Sequence, residues 1–193
     1  EYDGRPFMPL DKAAVTAAAK EMKAKGLKAV AISASFSPLD SSHEKEAAAI
    51  VAAENPDAVI TCSSDLGRIG LLERENAGLL NAALADLSRE TIAAFEKAIA
   101  DSGIDAPLFI TQNDGTVAEA SQAMKLPVYS FASGATNSMR GAAYLSGLDD
   151  AMVADVGGTT TDVGQLRHGF PREANSVVKV GGAVLRDELA DLA

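Results

Sequence analysis

The sequence predicts an α/β fold, and three observations predict it. Helix-forming stretches alternate with short apolar runs in the order helix, strand, helix, strand between Leu10 and Cys62. The two runs, within Lys28 to Ala34 and Ala58 to Cys62, are apolar throughout, the pattern of buried strands with parallel neighbours. The intervening helices are long enough to supply the right-handed crossovers that parallel pairing needs.

Each element has a local cause. Residues 1–10 read as a tether with two prolines, and Leu10 to Lys25 as a helix capped by Asp11, filled by alanine and lysine and ended by Gly26. Lys28 to Ala34 is a strand, Ser33 to Ser42 a polar turn around Ser37-Pro38, and Ser42-His43-Glu44 opens a helix to about Ala53. Ala58 to Cys62 is the next strand, and Ser63 to Glu73 a loop with two glycines. Arg74 to Ala85 and Ser88 to Asp101 read as two amphipathic helices, the second capped by Ser88. Ile104 to Pro107 breaks the pattern. Leu108 to Thr111 is a strand, Gln112 to Thr116 a turn, Val117 to Met124 a short helix and Val128 to Phe131 a brief strand. Ser133-Gly134 opens a helix that reaches Leu145 and closes at Ser146-Gly147. Ala151 to Asp155 is a core strand and Asp162 to Leu166 its return, followed by a turn at His168-Gly169. Ser176 to Val180 reads as a last strand, and Gly181-Gly182 leads into a terminal helix.

Composition narrows the function classes. The 193 residues suit one large domain or two small ones. With 47% hydrophobic residues but 5% aromatic and no tryptophan, the core is built from Ala, Val, Leu and Ile. The net charge of −10, without basic clusters, argues against nucleic acid or an anionic membrane surface as partner. A nucleotide site on such a chain has to work through backbone amides and a metal. The single cysteine, Cys62, excludes an intramolecular disulfide framework and suits a reducing cytoplasm. Neither a targeting peptide nor an 18-residue apolar run is visible. The chain starts at Glu1 rather than methionine, and is read as an excised piece of something longer.

The stretch with the most chemistry is Met152 to Gly164. An apolar strand ends in Asp155, and Gly157-Gly158, Thr159-Thr160-Thr161 and Asp162 follow. Glycines let backbone approach a ligand, and successive N–H groups in such a turn make a concave anion site. Threonine hydroxyls add donors. Asp155 and Asp162 would hold a divalent metal or its waters, or orient a nucleophile. These parts suit a nucleotide's phosphates with Mg²⁺. The alternative is a glycine turn in a hairpin with polar decoration. Walker-type and Gly-x-Gly-x-x-Gly loops are both absent from the sequence.

Other constellations leave two readings open. Gln112-Asn113-Asp114-Gly115 follows a strand, where α/β proteins gather ligands, yet Asn-Asp-Gly is also ordinary turn chemistry. Ser133-Gly134 precedes a helix, as an anion site or simply as a cap. His43 and His168, far apart and with one cysteine, make no zinc set, and Cys62 at a strand end reads as a small core residue. Arg74 and Glu75 read as a solvated face or an inter-element ion pair.

Together, Ser35-Phe36-Ser37-Pro38 with His43-Glu44, Arg74-Glu75-Asn76, Gln112 to Gly115, Ser133-Gly134, Gly141-Ala142-Ala143 and Asp155 to Asp162 resemble the hydantoinase/oxoprolinase family. These are hydantoinase A-type subunits related to 5-oxoprolinase and the acetone carboxylase β subunit. The resemblance covers roughly residues 11–182. It implies part of an actin-like ATPase fold of two ribonuclease-H-like subdomains, a mixed sheet flanked by helices, with nucleotide between them. Residues 1–131 would be the remainder of the N-terminal subdomain, and 132–193 the start of the second. The implied activity is ATP-dependent opening of a cyclic amide or imide through phosphorylation of its carbonyl oxygen, which exposes the ring carbonyl carbon to water. Sugar-kinase-like chemistry on the same fold and a non-catalytic assembly subunit are the alternatives.

Carried over by position, Gly157, Gly158, Thr159, Thr160 and Thr161 would cradle phosphates, and Asp155 and Asp162 would manage Mg²⁺ or the attacking group. Asn113, Asp114, Ser133 and Gly134 are weaker members of the cofactor site. The resemblance also implies ATP and Mg²⁺ as cofactors, a B-type partner subunit, an oligomer in the full-length protein and a cytoplasmic location. The family has a similar loop near its N-terminus and continues well beyond the second loop. Neither feature is present in this sequence, the usual Ser-Gly-Pro is Ser133-Gly134-Ala135, and residues 183–193 differ from the expected continuation. The piece alone is expected to turn over little or not at all.

Overall fold

The computed structural model describes residues 3, 5, 7–67, 70–172, 177–180 and 183–186. They form a mixed α/β structure whose chain divides into two compact units, the first made of Glu1–Ala85 with Val178–Leu185 and the second of Asp86–Val177 with Arg186–Ala193.

In the first unit, α1 (Lys12–Ala24) starts where the Asp11 carboxylate accepts from the Ala14 amide at 2.9 Å, and ends before Gly26 at φ +69°. Strands β1 (Ala29–Ile32) and β2 (Val59–Cys62) pair in parallel, Ala29 opposite Val59, with α2 (Ser42–Glu54) as the crossover. Strand alternation decides the layers. Val30, Ile32 and Ile60 meet Val15, Ala19 and Met22 of α1 and Val51 of α2 in one apolar core. Ala31 and Thr61 face the other way, toward the next helix. The strands are thus only half-buried, not the fully buried runs expected from sequence; Ala29 is exposed.

One helix, α3 (Leu71–Asp101), replaces the two expected over 74–101. Ser88 does not cap a second helix. Asp86 and Leu87 before it include no glycine or proline to stop the first, so the ladder continues through. α3 lies over the pair at Gly78, where a Cβ would make an ordinary contact with Ala31 Cβ at 3.6 Å. Asn81 donates to Thr61 Oγ1 at 3.0 Å beside it.

The second unit takes α3 from Asp86 onward. Ile92 packs with Leu108, Ile110, Ala120, Ala123 and Met124. β3 (Phe109–Thr111) and β4 (Val117–Glu119) form an antiparallel hairpin, Thr111 opposite Val117, and α4 spans only Ala120–Ala123. The helix expected from Val117 therefore begins three residues late. Asp114-Gly115, with Gly115 at φ +81°, is a hairpin turn, and it commits β-branched Val117 to pairing. A Cβ on Gly115 would lie 2.8 Å from Pro171 Cδ, so only glycine fits there. The strand expected over 128–131 is instead a 3₁₀ turn, Pro127–Ser130. Proline fixes φ at its start, and Asn113 takes the Val128 and Tyr129 carbonyls that a ladder would need.

Helix α5 (Gly134–Ser146) ends at Gly147, φ +69°. It packs Ala135, Met139 and Ala143 on Ala151, Val153 and Leu166 of the sheet formed by β5 (Ala151–Val156), β6 (Thr161–Arg167) and β7 (Phe170–Pro171). β5 is not a core strand. It alternates half-buried with exposed positions, and Met152 and Val156 face outward. His168 (φ +52°) and Gly169 (φ +76°) make the two-residue turn between β6 and β7. Arg140 reaches from α5 to donate to the Gly169 carbonyl and lies 4.0 Å from the Phe170 ring centroid. β8 (Val177–Val180) pairs with β9 (Ala183–Arg186), a strand where a helix was expected to begin. Gly181-Gly182 and residues 187–193 lie outside the described residues. The described strands fall into four small sheets, parallel in β1–β2 and antiparallel in β3–β4 and β5–β7.

Candidate functional site

The Met152 to Gly164 stretch folds as a hairpin whose register sets its chemistry. Asp155 lies directly opposite Asp162, and Val156 opposite Thr161. Cross-strand partners share a face, so the two carboxylates stand together. Ala151, Val153 and Asp155 lie on one side of β5, and Asp162, Gly164 and Leu166 on the matching side of β6. That side packs on α5. The carboxylates therefore continue this side of the sheet to the turn end of the hairpin.

The turn itself is Gly157 to Thr160, closed by Gly157 N–H donating to the Thr160 carbonyl at 2.9 Å. Among the described residues, the amides of Gly158, Thr159 and Thr160 donate to no backbone or side-chain acceptor, and the whole turn is exposed. The two glycines differ. A Cβ on Gly157 would meet the Thr160 carbonyl at 3.3 Å, a reason internal to the turn. A Cβ on Gly158 would meet nothing within 4 Å, and its φ is not left-handed. The fold does not require glycine at 158. A ligand approaching the backbone would.

α5 and β5 are each about 20 Å long, at 1.5 and 3.3 Å per residue. They pack together through a connection of only four residues, 147–150. Ser133 occupies the N-cap position but makes no side-chain cap bond. Thr136 Oγ1 instead donates to the Ser133 carbonyl at 2.8 Å and contacts the Gln112 carbonyl at 3.2 Å. Thr111 bonds Asn137 at 3.2 Å. The Gln112 to Gly115 turn is thereby docked on the first turns of α5. Asp114 accepts from the Thr116 amide and hydroxyl, at 2.8 and 2.6 Å, which is turn chemistry. Asn113 is buried, with its amide nitrogen donating to the Val128 carbonyl. Its Oδ1 has no hydrogen-bond partner.

Two carboxylates and no more are brought together at the turn. Among the described residues, no group of three or more His, Cys, Asp or Glu side chains is placed to hold a metal ion. That donor set fits Mg²⁺, which keeps several waters and takes one or two carboxylates beside phosphate oxygens. It does not fit a structural zinc site.

Sequence reading missed a second polar assembly, at the carboxyl ends of β1 and β2. Glu44, 1% exposed, accepts from Ser63 Oγ at 2.6 Å and from the Ala34 and Ser64 amides at 2.8 Å each. Burial pushes its carboxyl up, but donors from Ser63, Ser37 and Ser64 outweigh that and hold it below its ordinary value. Arg74, 3% exposed, donates to the Ala34 carbonyl at 2.6 Å, Ser37 Oγ at 3.1 Å and the Gly70 carbonyl at 3.2 Å. Its Nε is 3.4 Å from Ser63 Oγ. Arg74 is therefore no solvated face, while Glu75 is exposed. The spacing carried the signal: Glu44, Ala47 and Val51 share one helix face, as do Arg74, Ala77, Asn81 and Ala85. The Cys62 thiol is pushed up to about 11 by burial and by the charges of Glu44 and Asp65, so it stays protonated at neutral pH.

Known proteins resemble this chain along its length. The family profile described as Hydantoinase/oxoprolinase matches residues 74–190, and Hydantoinase/oxoprolinase N-terminal region matches residues 1–55. Caprolactamase subunit alpha of Pseudomonas jessenii is 30% identical over 166 residues, 83% of this chain and 24% of that protein. The crystal structure of ATP-dependent caprolactamase from Pseudomonas jessenii superposes with a TM-score of 0.78 at 23% identity, over 99% of this chain and 28% of that one. Nucleotide-free acetone carboxylase, solved in work on ATP-dependent acetone carboxylation, gives 0.76 at 20% identity, over 100% and 28%. At these identities the structural likeness is one of fold. The chain spans about a quarter of the length of these relatives.

Proposed function

Because the chain belongs to the hydantoinase/oxoprolinase family, we propose that it is the part of an ATP-dependent enzyme that carries one of its phosphate-holding turns. The observation that carries this reading is the exposed Gly157 to Thr160 turn, with three amides unused among the described residues, flanked by the facing Asp155 and Asp162. The names of the two solved relatives, both ATP-dependent, support nucleotide use. We place the chain in an actin-like ATPase fold, residues 1–131 completing one subdomain and 132–193 opening the next.

The reaction proposed is hydrolysis of a cyclic amide or imide, an idea supported by a relative named for caprolactam. Bound MgATP would supply the phosphoryl group that, placed on the amide oxygen, opens the carbonyl carbon to attack by water, and Mg²⁺ would supply the charge that offsets the phosphates. This chain's residues would do the positioning. The amides of Gly158, Thr159 and Thr160, with the hydroxyls of Thr159, Thr160 and Thr161, would donate to phosphate oxygens. Asp155 and Asp162 would hold the metal and its waters, and orient the attacking group. The α5 N-terminus at Ser133-Gly134 would add its dipole, and Asn113 and Asp114 would support it from the docked turn. A B-type partner subunit and an oligomeric full-length protein complete the proposal, as does a cytoplasmic location, which the lone Cys62 suits. No helix among the described residues is long and apolar enough to cross a membrane. The 193-residue piece alone is expected to turn over little.

Gly158→Ala in the intact enzyme separates this reading from that of a decorated hairpin. The added Cβ meets nothing in the fold, so thermal stability should change by no more than about 0.5 kcal/mol. Calorimetric affinity for MgATP should fall clearly. An unchanged affinity would mean that no phosphate lies against this turn.

A further inference from the structure

A groove of about 320 Å³ opens in the second unit and shares no residue with the Asp155–Asp162 turn or the Glu44–Arg74 assembly. Ile99, Ile104 and Leu108 give it an apolar lining, and Glu96, Asp105 and Glu119 supply its carboxylates. All three carboxylates are exposed, and no lysine or arginine lines the groove. Lys97, the nearest cation in sequence to Glu96, is ion-paired with Asp101. Apolar surface continues beside it. Phe109, the cross-strand partner of Glu119, is 53% exposed, as is Phe95 one residue before Glu96 on α3.

We propose that this groove seats a segment of the partner subunit that presents an apolar side chain flanked by lysine or arginine. The inference rests on the subunit assembly proposed above and names its docking surface. An apolar lining gains from burying an aliphatic or aromatic anchor, and hot spots of that kind lie in such pockets. Three carboxylates without counter-ions call for cations around that anchor. A second copy of this chain, at net charge −10, is the wrong electrostatic partner. A metal is the wrong occupant too, since the described residues offer no cluster of ligands for one.

The test is titration of the intact protein with its purified B-type subunit, at low and high salt. Two variants are used, Ile104→Asp in the lining and the doubly neutralised Glu96→Gln/Glu119→Gln. All three positions are exposed in this chain, and circular dichroism and thermal melting check that each variant of the intact protein folds. Ile104→Asp should weaken the complex at least ~10-fold, and the double variant should slow association and flatten its salt dependence. Wild-type affinity in both variants would overturn the groove assignment while leaving the subunit reading intact. No complex from the wild-type pair would overturn both. Self-association of the chain alone that Ile104→Asp abolishes would overturn the partner subunit in favour of a second copy.

Discussion

Replacing Glu44 with alanine is expected to cost about 3–5 kcal/mol of stability, read as a lowered denaturant midpoint at unchanged slope. The carboxylate accepts from Ser63 and from the Ala34 and Ser64 amides in a nearly solvent-free position. Alanine leaves those donors buried without an acceptor, which costs more than the hydrogen bonds were worth in net terms. Arg74→Ala should cost a similar amount, because it strips the Ala34 and Gly70 carbonyls of their donor and removes the guanidinium from Ser63 Oγ, the hydroxyl that donates to Glu44. The double variant should lose less than the sum of the singles, since both act on the Ser63 hydroxyl.

The same assembly sets a pH dependence. The folded pKa of Glu44 lies below the ordinary 4.5, so its contribution is fully present above that value and is lost as pH falls through the folded pKa. Unfolding curves between about pH 6 and pH 3 should show this acid limb in the wild type and a flatter one in Glu44→Gln. An identical acid limb in both proteins would mean that the carboxylate is not what the Ser63, Ser64 and Ala34 donors are arranged around.

Asp155→Ala and Asp162→Ala should each reduce ATP-dependent turnover in the intact enzyme by about 10²-fold or more, the scale of losing a preorganised electrostatic partner. Stability should move little. Asp162 is exposed, Asp155 is half-buried, and neither side chain holds a hydrogen bond within the described chain. The two carboxylates are cross-strand partners, so the double variant should be hardly worse than either single one. Full turnover in either variant would remove that aspartate from the reaction.

Local chemistry was well marked in the sequence where one residue decides the outcome. Asp11 and Gly26 bracket α1, Gly147 ends α5, and the β1–α2–β2 order yields the parallel pair. The hairpin around Gly157-Gly158 was equally readable, because apolar flanks and a polar glycine turn leave few alternatives. Failures came where tertiary partners overrule local preference. Pro127 to Ser130 carries β-compatible residues, but Asn113 claims their carbonyls from a distant turn. Val117 lies in a stretch of helix formers, yet the Asp114-Gly115 turn pairs it with Thr111. Ser88 resembled a cap only because serine suits caps; with no breaker before it, α3 continues.

The candidate site was legible in its parts but not in its assembly. The roles of Asp155 and Asp162 depend on register, and register follows from a four-residue turn whose closing bond is Gly157 to Thr160. The shared burial of Glu44 and Arg74 was not legible from their residue types, because charged residues usually face water. Their spacing with Ala47, Val51, Ala77 and Asn81 placed both on buried helix faces.

The most direct measurement is a calorimetric titration of MgATP into the intact protein and its Asp155→Ala variant, with both shown folded beforehand. Measurable binding to the first and a marked loss in the second is the outcome expected if Gly157 to Thr160 grips a polyphosphate. Equal affinity in the two proteins would contradict it and leave the turn as the tip of a hairpin.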